Sequence, residues 1–363
     1  MTTPLAHGLP DFPWDRLTAP GNIARSHPDG IVDLSIGTPV DATPQVIQDA
    51  LRAHANAPGY PTAAGLPELR EAWAAWAQRS LHSTIGQEHV SPLIGSKELV
   101  AWLPISLGLG KGNVVAVPEL AYPTYAVGAL MAGAEFVTYK SANDIPANTS
   151  LIWVNSPSNP TGQVLTVDEL RSVVARGREL NIPVVSDECY IELGWDNEPV
   201  SVLHSSVNDG DLTNILSVHS LSKRSNLAGY RSGAVLGDAS LINSLIQLRK
   251  HSGMLMPMPV QHATIAALAD DDHVIAQKNL YRKRRDVLHS ALLGAGFSIE
   301  HSQAGLYLWA TMNKDCMETV AWLAEKGILV APGDFYGPAG QQFVRVAMTA
   351  TDERVAAFAQ RLK

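Results

Sequence analysis

Cysteine is nearly missing: the 363-residue chain has only Cys189 and Cys316, far apart in sequence. That excludes a disulfide framework and the paired spacings of a zinc site, and it suits a reducing compartment. A basic excess is missing too. Lys and Arg number 27 against 35 Asp and Glu, a formal charge of −8, whereas a general nucleic-acid binder needs a basic surface to neutralise phosphates. No stretch reaches the ~18 apolar residues of a membrane span. The start, Met1 to Gly8, has no basic region followed by an apolar segment. The twelve histidines form no metal motif, and there are no repeats or low-complexity tracts. What the chain has is length and 46% hydrophobic residues, enough for a large core and two domains. A soluble cytoplasmic protein is expected, without metal, membrane or nucleic acid.

Three stretches carry chemistry, each just beyond an apolar run. In the first, Asn214 to Val218 reads as a buried strand followed by Ser220-Leu221-Ser222-Lys223-Arg224, then Gly229-Tyr230-Arg231. Open α/β sheets place their chemistry on such loops. Cations nearby, Arg224 and Arg231, disfavour the ammonium form of Lys223 and favour the neutral amine that attacks a carbonyl. A lone lysine in a polar loop is ordinarily just solvated, so the other stretches decide. The run Ile182 to Val185 leads into Ser186-Asp187-Glu188-Cys189-Tyr190, and Leu151 to Val154 leads into Asn155-Ser156-Pro157-Ser158-Asn159-Pro160-Thr161-Gly162. A lysine-bound pyridoxal phosphate needs a carboxylate to keep its ring nitrogen protonated, which Asp187 can supply. Tyr190 and the amide of Asn159 can reach its ring hydroxyl.

In order and spacing, Asn-Pro-Thr-Gly at 159–162, Asp187-x-x-Tyr190, Ser220-x-x-Lys223 and Arg231 eight residues beyond the lysine resemble the class I/II aminotransferases, the fold-type I pyridoxal-phosphate enzymes. The resemblance runs from about Ile31 to the C-terminus. It implies an α/β fold with a mainly parallel sheet in a large cofactor domain, residues 43–252, and a smaller α+β domain, 253–363, joined by an N-terminal arm, 1–42. Alternating strands and helices agree with this: strands at Val114–Val117, Glu135–Tyr139 and Tyr230–Leu236, helices at Pro44–Ala57, Leu66–Arg79, Val167–Glu179 and Ala239–Lys250. A helical region from Val260 to Leu293, with a break at Asp270–Asp272, precedes late strands at Leu306–Ala310, Ile328–Val330 and Phe343–Ala347. Leu9 to Asp15 reads as too irregular for helix or strand. The basic run Arg282 to Arg285, with Asp286 after it, reads as a solvated helix face.

Further site residues follow from the resemblance. Gly95-Ser96-Lys97 opens a helix whose N-terminus favours an anion, and Ser96 matches the family's phosphate-binding hydroxyl, while Lys97 departs from the commonest pattern. Ser220, Ser222 and Arg231 complete the phosphate side. Tyr122 matches the aromatic residue that stacks on the cofactor ring. A tyrosine placed like Tyr60 reaches the partner's cofactor across a homodimer. Gly37 lets backbone approach a ligand. Arg345, a lone charge in the apolar strand Phe343 to Ala347, needs an anionic partner; an internal acid is the simple choice, and the resemblance assigns it to the substrate α-carboxylate.

Amino-group transfer follows, with glutamate and 2-oxoglutarate as the everyday pair. Leu9 to Asp15 and His27 to Asp41 are similar to the actinobacterial succinyldiaminopimelate aminotransferases of lysine biosynthesis. Arg25, Arg224 and Lys97 are the candidates for distal carboxylates. An aspartate or aromatic aminotransferase, a carbon–sulfur lyase and a non-catalytic cofactor-binding regulator stay open as alternatives.

Overall fold

The computed structural model describes residues 8–363, so residues 1–7 of the expected arm lie outside the described residues. The first strand, β1 (Val32–Leu34), is followed by β2 (Val90–Leu93), β3 (Val114–Pro118), β4 (Glu135–Tyr139), β5 (Thr149–Asn155), β6 (Val184–Asp187), β7 (Ile215–Ser220) and β8 (Gly233–Gly237). Four more close the chain: β9 (Ser298–Glu300), β10 (Tyr307–Thr311), β11 (Ile328–Pro332) and β12 (Phe343–Ala347). Two sheets result.

The larger has seven strands in the order β2-β8-β7-β6-β5-β3-β4. From β7 to β4 every neighbouring pair is parallel, and β8 runs against both its neighbours. The central strands are apolar along their length because helices cover both faces. Side chains alternate between the two: Ile152 and Val154 of β5 join one core cluster, Leu151 and Trp153 the other. The helix Val167–Leu180 shows how locally these elements are specified. Thr166 and Glu169 form a reciprocal capping box at its start, and Asn181 ends it in the left-handed region. Trp73 and Trp76, on the helix Pro67–Leu81, are fully buried; truncating either to alanine would cost roughly 3–5 kcal/mol.

The smaller sheet has the order β1-β11-β12-β10-β9. It recruits the N-terminal segment, since β1 pairs parallel with β11, while the other neighbours are antiparallel.

Several expectations are corrected. The strand expected from Tyr230 starts only at Gly233: Ala228–Tyr230 form a 3-10 turn and Arg231 takes φ 57°, a left-handed conformation no strand admits. The segment expected to be irregular includes the start of a 3-10 helix, Pro13–Leu17, which proline opens, and an α-helix Thr18–Arg25 continues it. The helix at Pro44 is shorter than expected, Gln45–Ala53. The long helical region breaks where expected, into Met258–Ala269 and Asp272–Gly294, parted at Asp270–Asp271. Its basic run is a solvated face only in part, at the exposed Arg282 and Lys283. Arg284 is buried and binds both oxygens of Asp41 at 2.7 Å and Asp352 at 2.7 Å, while Arg285 reaches Asp196.

Candidate active site

Strands β5, β6 and β7 are parallel, so their C-terminal residues Asn155, Asp187 and Ser220 end on one side of the sheet. Between β3 and β5 the strand order reverses, with β4 on one side and β5 on the other. Such a reversal opens a crevice at the strands' carboxyl ends. Here it is a cavity of about 510 Å³. Gly37, Ser96, Lys97, Tyr122, Asn159 and Asp187 line it, and so do Tyr190, Ser220, Ser222, Lys223, Arg231 and Arg345. Twelve of the thirteen site residues chosen from sequence thus meet at one place. The thirteenth, Tyr60, does not line this cavity and is 99% exposed.

Lys223 follows β7 on a single helical turn, Leu221–Arg224, whose cap is Ser220: its hydroxyl accepts from the Ser222 N–H and donates to the Ser222 hydroxyl at 2.9 Å. The Lys223 ammonium donates to the carbonyl of Gly37. Burial lowers its pKa, Arg345 and Arg231 lower it further, and Tyr307 and Cys189 work the other way. Arg224 takes no part in this. It is buried against Glu192 and the Ala267 carbonyl, which corrects the expectation that it acts on Lys223 or meets a distal carboxylate. Arg25 is no candidate either: it bonds Asn22 and stands outside the cavity.

Asp187 is buried, and burial raises its pKa. Its carboxylate accepts from the Tyr125 hydroxyl at 2.8 Å and from the Cys189 N–H at 3.2 Å. Tyr125 escaped the sequence reading because it lies inside a helix, Thr124–Met131, where an aromatic residue ordinarily means packing. Asn155 was missed as well. Its side chain donates to the Asp187 carbonyl at 2.9 Å and accepts from the Asn159 N–H at 2.7 Å, tying the Asn159 turn to β6. Had the strand end been treated as a position in its own right, this buried asparagine could have been found.

Arg345 is fully enclosed, and among the described residues no acid pairs with it. It donates to Asn159 Oδ1 and to the Ser35 carbonyl, both at 2.8 Å, and its Nε has no partner. The guanidinium lies over the rings of Tyr307 and Tyr336, 3.9 and 4.9 Å from their centroids. An internal acid is therefore not the answer to this buried charge. Tyr307, a third residue missed, is within 3.1 Å of the Tyr190 hydroxyl. Burial raises its pKa, but the charges of Arg345 and Lys223 outweigh that and lower it. Gly37 has to be glycine for steric reasons: a Cβ there would collide with the Tyr307 hydroxyl.

At the other end of the cavity, Gly95 takes φ 92°, and a Cβ on it would strike the Arg231 guanidinium. The helix Ser96–Ser106 starts there with no side chain capping its first N–H groups.

The family model "Aminotransferase class I and II" matches residues 29–362. The chain belongs to the class I and II aminotransferases. A Mycobacterium tuberculosis relative named "probable aminotransferase" is 56% identical over 98% of this chain and 85% of its own. The 4-dedimethylamino-4-oxo-anhydrotetracycline transaminase of Streptomyces rimosus is 55% identical over 98% and 99%. An LL-diaminopimelate aminotransferase of Dehalococcoides mccartyi is 32% identical over 91% and 90%. Among solved structures, a Neisseria meningitidis aminotransferase superposes with a TM-score of 0.90 at 32% identity, covering 99% of this chain and 98% of that one.

Aminotransferases of this family bind pyridoxal phosphate, and the residues present fit it. The uncapped helix start, the Gly95–Arg231 approach and the Ser96, Ser220 and Ser222 hydroxyls form a cradle suited to a phosphate. Asp187, a buried carboxylate raised by desolvation, is relieved by a cation beside it, as a protonated ring nitrogen is.

Proposed function

We propose that this aminotransferase transfers the amino group of N-succinyl-L,L-diaminopimelate to 2-oxoglutarate, in the cytoplasm, as a homodimer in which Tyr60 reaches the partner's cofactor phosphate. The observation that carries the substrate class is the cation count of the cavity. Four cations line it, Lys97, Lys223, Arg231 and Arg345, against one carboxylate, Asp187. Arg231 faces the phosphate cradle and Lys223 the carbonyl chemistry, so Arg345 and Lys97 are left for two of the donor's three carboxylates. The 32% identity to an LL-diaminopimelate aminotransferase supports a dicarboxylate donor of that length.

Pyridoxal phosphate supplies an aldehyde carbon that takes the amine and a protonated ring that accepts the electron pair left at Cα. The protein's residues do the rest. Arg345 holds the substrate α-carboxylate with its two-pronged guanidinium, seated by Asn159 and Ser35. Buried Lys223, with its amine form favoured, is the base that would take the Cα proton and hold it at Nζ for return. Asp187, fixed by Tyr125 and Cys189, keeps the ring nitrogen protonated. Tyr190, Asn159 and Tyr122 line the same cavity; the first two would donate to the ring hydroxyl and the ring of Tyr122 would offer its face to the cofactor.

A second reading comes from the Streptomyces rimosus relative, whose name states a polycyclic ketone acceptor. The apolar wall of Phe12, Trp14, Val100 and Met131 in the cavity suits a bulky group. The test is a single-turnover comparison of cofactor-loaded protein with N-succinyl-L,L-diaminopimelate, L,L-diaminopimelate, aspartate, phenylalanine and cystathionine, scoring the keto acid formed. Fastest conversion of the succinylated donor is the expected result. Conversion of another amine with none of this one retains the aminotransferase and discards the substrate; release of ammonia and thiol from cystathionine points to a lyase.

A further inference from the structure

The segment Phe12 to Trp14 takes no part in the proton transfer, yet it forms part of the cavity wall. Pro13 opens the short 3-10 helix, and Phe12 sits just before it as the cap, its carbonyl accepting from the Asp15 N–H at 3.0 Å. Trp14, half-buried, packs on the core beside the smaller sheet, against Phe335, 5.3 Å between centroids, and Tyr336, 6.4 Å. Phe12 stacks on Trp14 at 5.5 Å with a 30° interplanar angle. An aromatic residue 55% exposed to solvent is thus held in one place by a half-buried partner that is itself packed on the core. Its ring faces Lys97, whose ammonium lies 5.7 Å from the centroid. No carboxylate of the described residues lies within ion-pairing distance of Lys97.

A ring face in this position does two things to an ammonium. Its quadrupole attracts the charge and so limits the directions in which the flexible lysine stem can point. Its apolar bulk also removes water from one side of the charge, which strengthens attraction to an anion on the other side. A neutral substrate tail gains nothing from either effect.

We propose that Phe12 is a specificity-determining residue: it holds the Lys97 ammonium in the cavity and screens it from water, so that amino donors with a distal carboxylate are preferred over apolar donors of equal length. This rests on the amino-transfer reading but does not need the succinylated donor. It also gives a reason for the ordered N-terminal segment, which places the ring.

The test uses the cofactor-loaded full chain and two donors that share a carbon skeleton and differ at the distal end, L-2-aminoadipate and L-norleucine. The rate constants per unit concentration of donor are measured for wild type, Phe12→Leu, Phe12→Tyr, Lys97→Met and the Phe12→Leu/Lys97→Met pair. Phe12→Leu is expected to lower the ratio of the aminoadipate to the norleucine constant about two- to five-fold, the size of an exposed cation–π contact. Phe12→Tyr, which retains the ring, is expected to restore the preference. In the Lys97→Met background Phe12→Leu is expected to have no acid-selective effect. Equal slowing of both donors, failure of tyrosine to restore the preference, or an acid-selective loss that survives without Lys97 would each overturn the proposal. If wild type converts neither donor, nor any other amine, the amino-transfer reading itself fails and this falls with it.

Discussion

Replacing Arg345 by methionine should move activity and stability in different directions. On the proposed reading, the guanidinium makes two charged hydrogen bonds to the substrate carboxylate, each worth about 1.5–3 kcal/mol. Losing both costs roughly two to four orders of magnitude in kcat/KM, at ~1.36 kcal/mol per factor of ten. The protein itself loses much less. Arg345 is buried beside Asn159 and Ser35 with no acid at hand and with Nε unpartnered, so the free protein bears the desolvation cost of a charge that only the substrate neutralises. An apolar side chain of similar length removes that cost, and of the two freed acceptors Asn159 lines the cavity, where water replaces the lost bond. Stability is therefore expected to stay level or rise. Thermal unfolding and steady-state kinetics on one preparation measure both. A kcat/KM reduced less than ten-fold, or a Tm lowered by more than about 2 °C, which at ~2.1 cal/mol/K per residue means more than ~1 kcal/mol for a chain of this size, would refute the reasoning.

Other substitutions probe the remaining parts. Lys223→Ala should abolish the visible absorbance of lysine-bound cofactor and with it transfer; full activity without added amine would contradict the assignment. Asp187→Ala should retain cofactor, measured by gel filtration of the loaded protein, but slow transfer steeply. Tyr125→Phe should cost about ten-fold or more in kcat, as loss of one charged hydrogen bond to buried Asp187 does, with little change in KM. The buried pair Glu188 and His219 predicts a pH signature. Burial pushes Glu188 up from 4.5 to about 7 and His219 down from 6.5 to about 3. A raised carboxyl contributes stability that is complete below 4.5 and lost as pH rises towards 7. Glu188→Gln, which mimics the protonated acid, should therefore gain on wild type by roughly 3 kcal/mol between pH 4.5 and 7, at ~1.36 kcal/mol per pH unit. Denaturant titrations at the two pH values check this, and parallel curves would contradict it.

The fold was readable wherever hydrophobic period and turn chemistry agreed. Glu135–Tyr139 and Phe343–Ala347 have the bounds expected from sequence, and the site loops could be placed because apolar runs end abruptly at Asn155, Asp187 and Ser220. Less readable were elements whose reasons are tertiary. Pro92 hides β2, which tolerates it at the edge of the sheet. Arg231 looks like a strand residue, but its left-handed backbone turns it towards Gly95. Arg224 looks like a neighbour for the lysine, yet one helical turn points it at Glu192 instead. Tyr125 and Tyr307 are ordinary core aromatics by period; only the fold reveals that their hydroxyls meet Asp187 and Tyr190.

The most direct test of the account is to trap the cofactor where it is bound. Cofactor-loaded protein is treated with borohydride, digested and sequenced by mass spectrometry. The account predicts a reduced pyridoxyl phosphate adduct on the peptide containing Lys223 and on no other lysine. An adduct on Lys97 or elsewhere with Lys223 unmodified, or loaded protein that converts amino donors yet yields no lysine adduct, would contradict it.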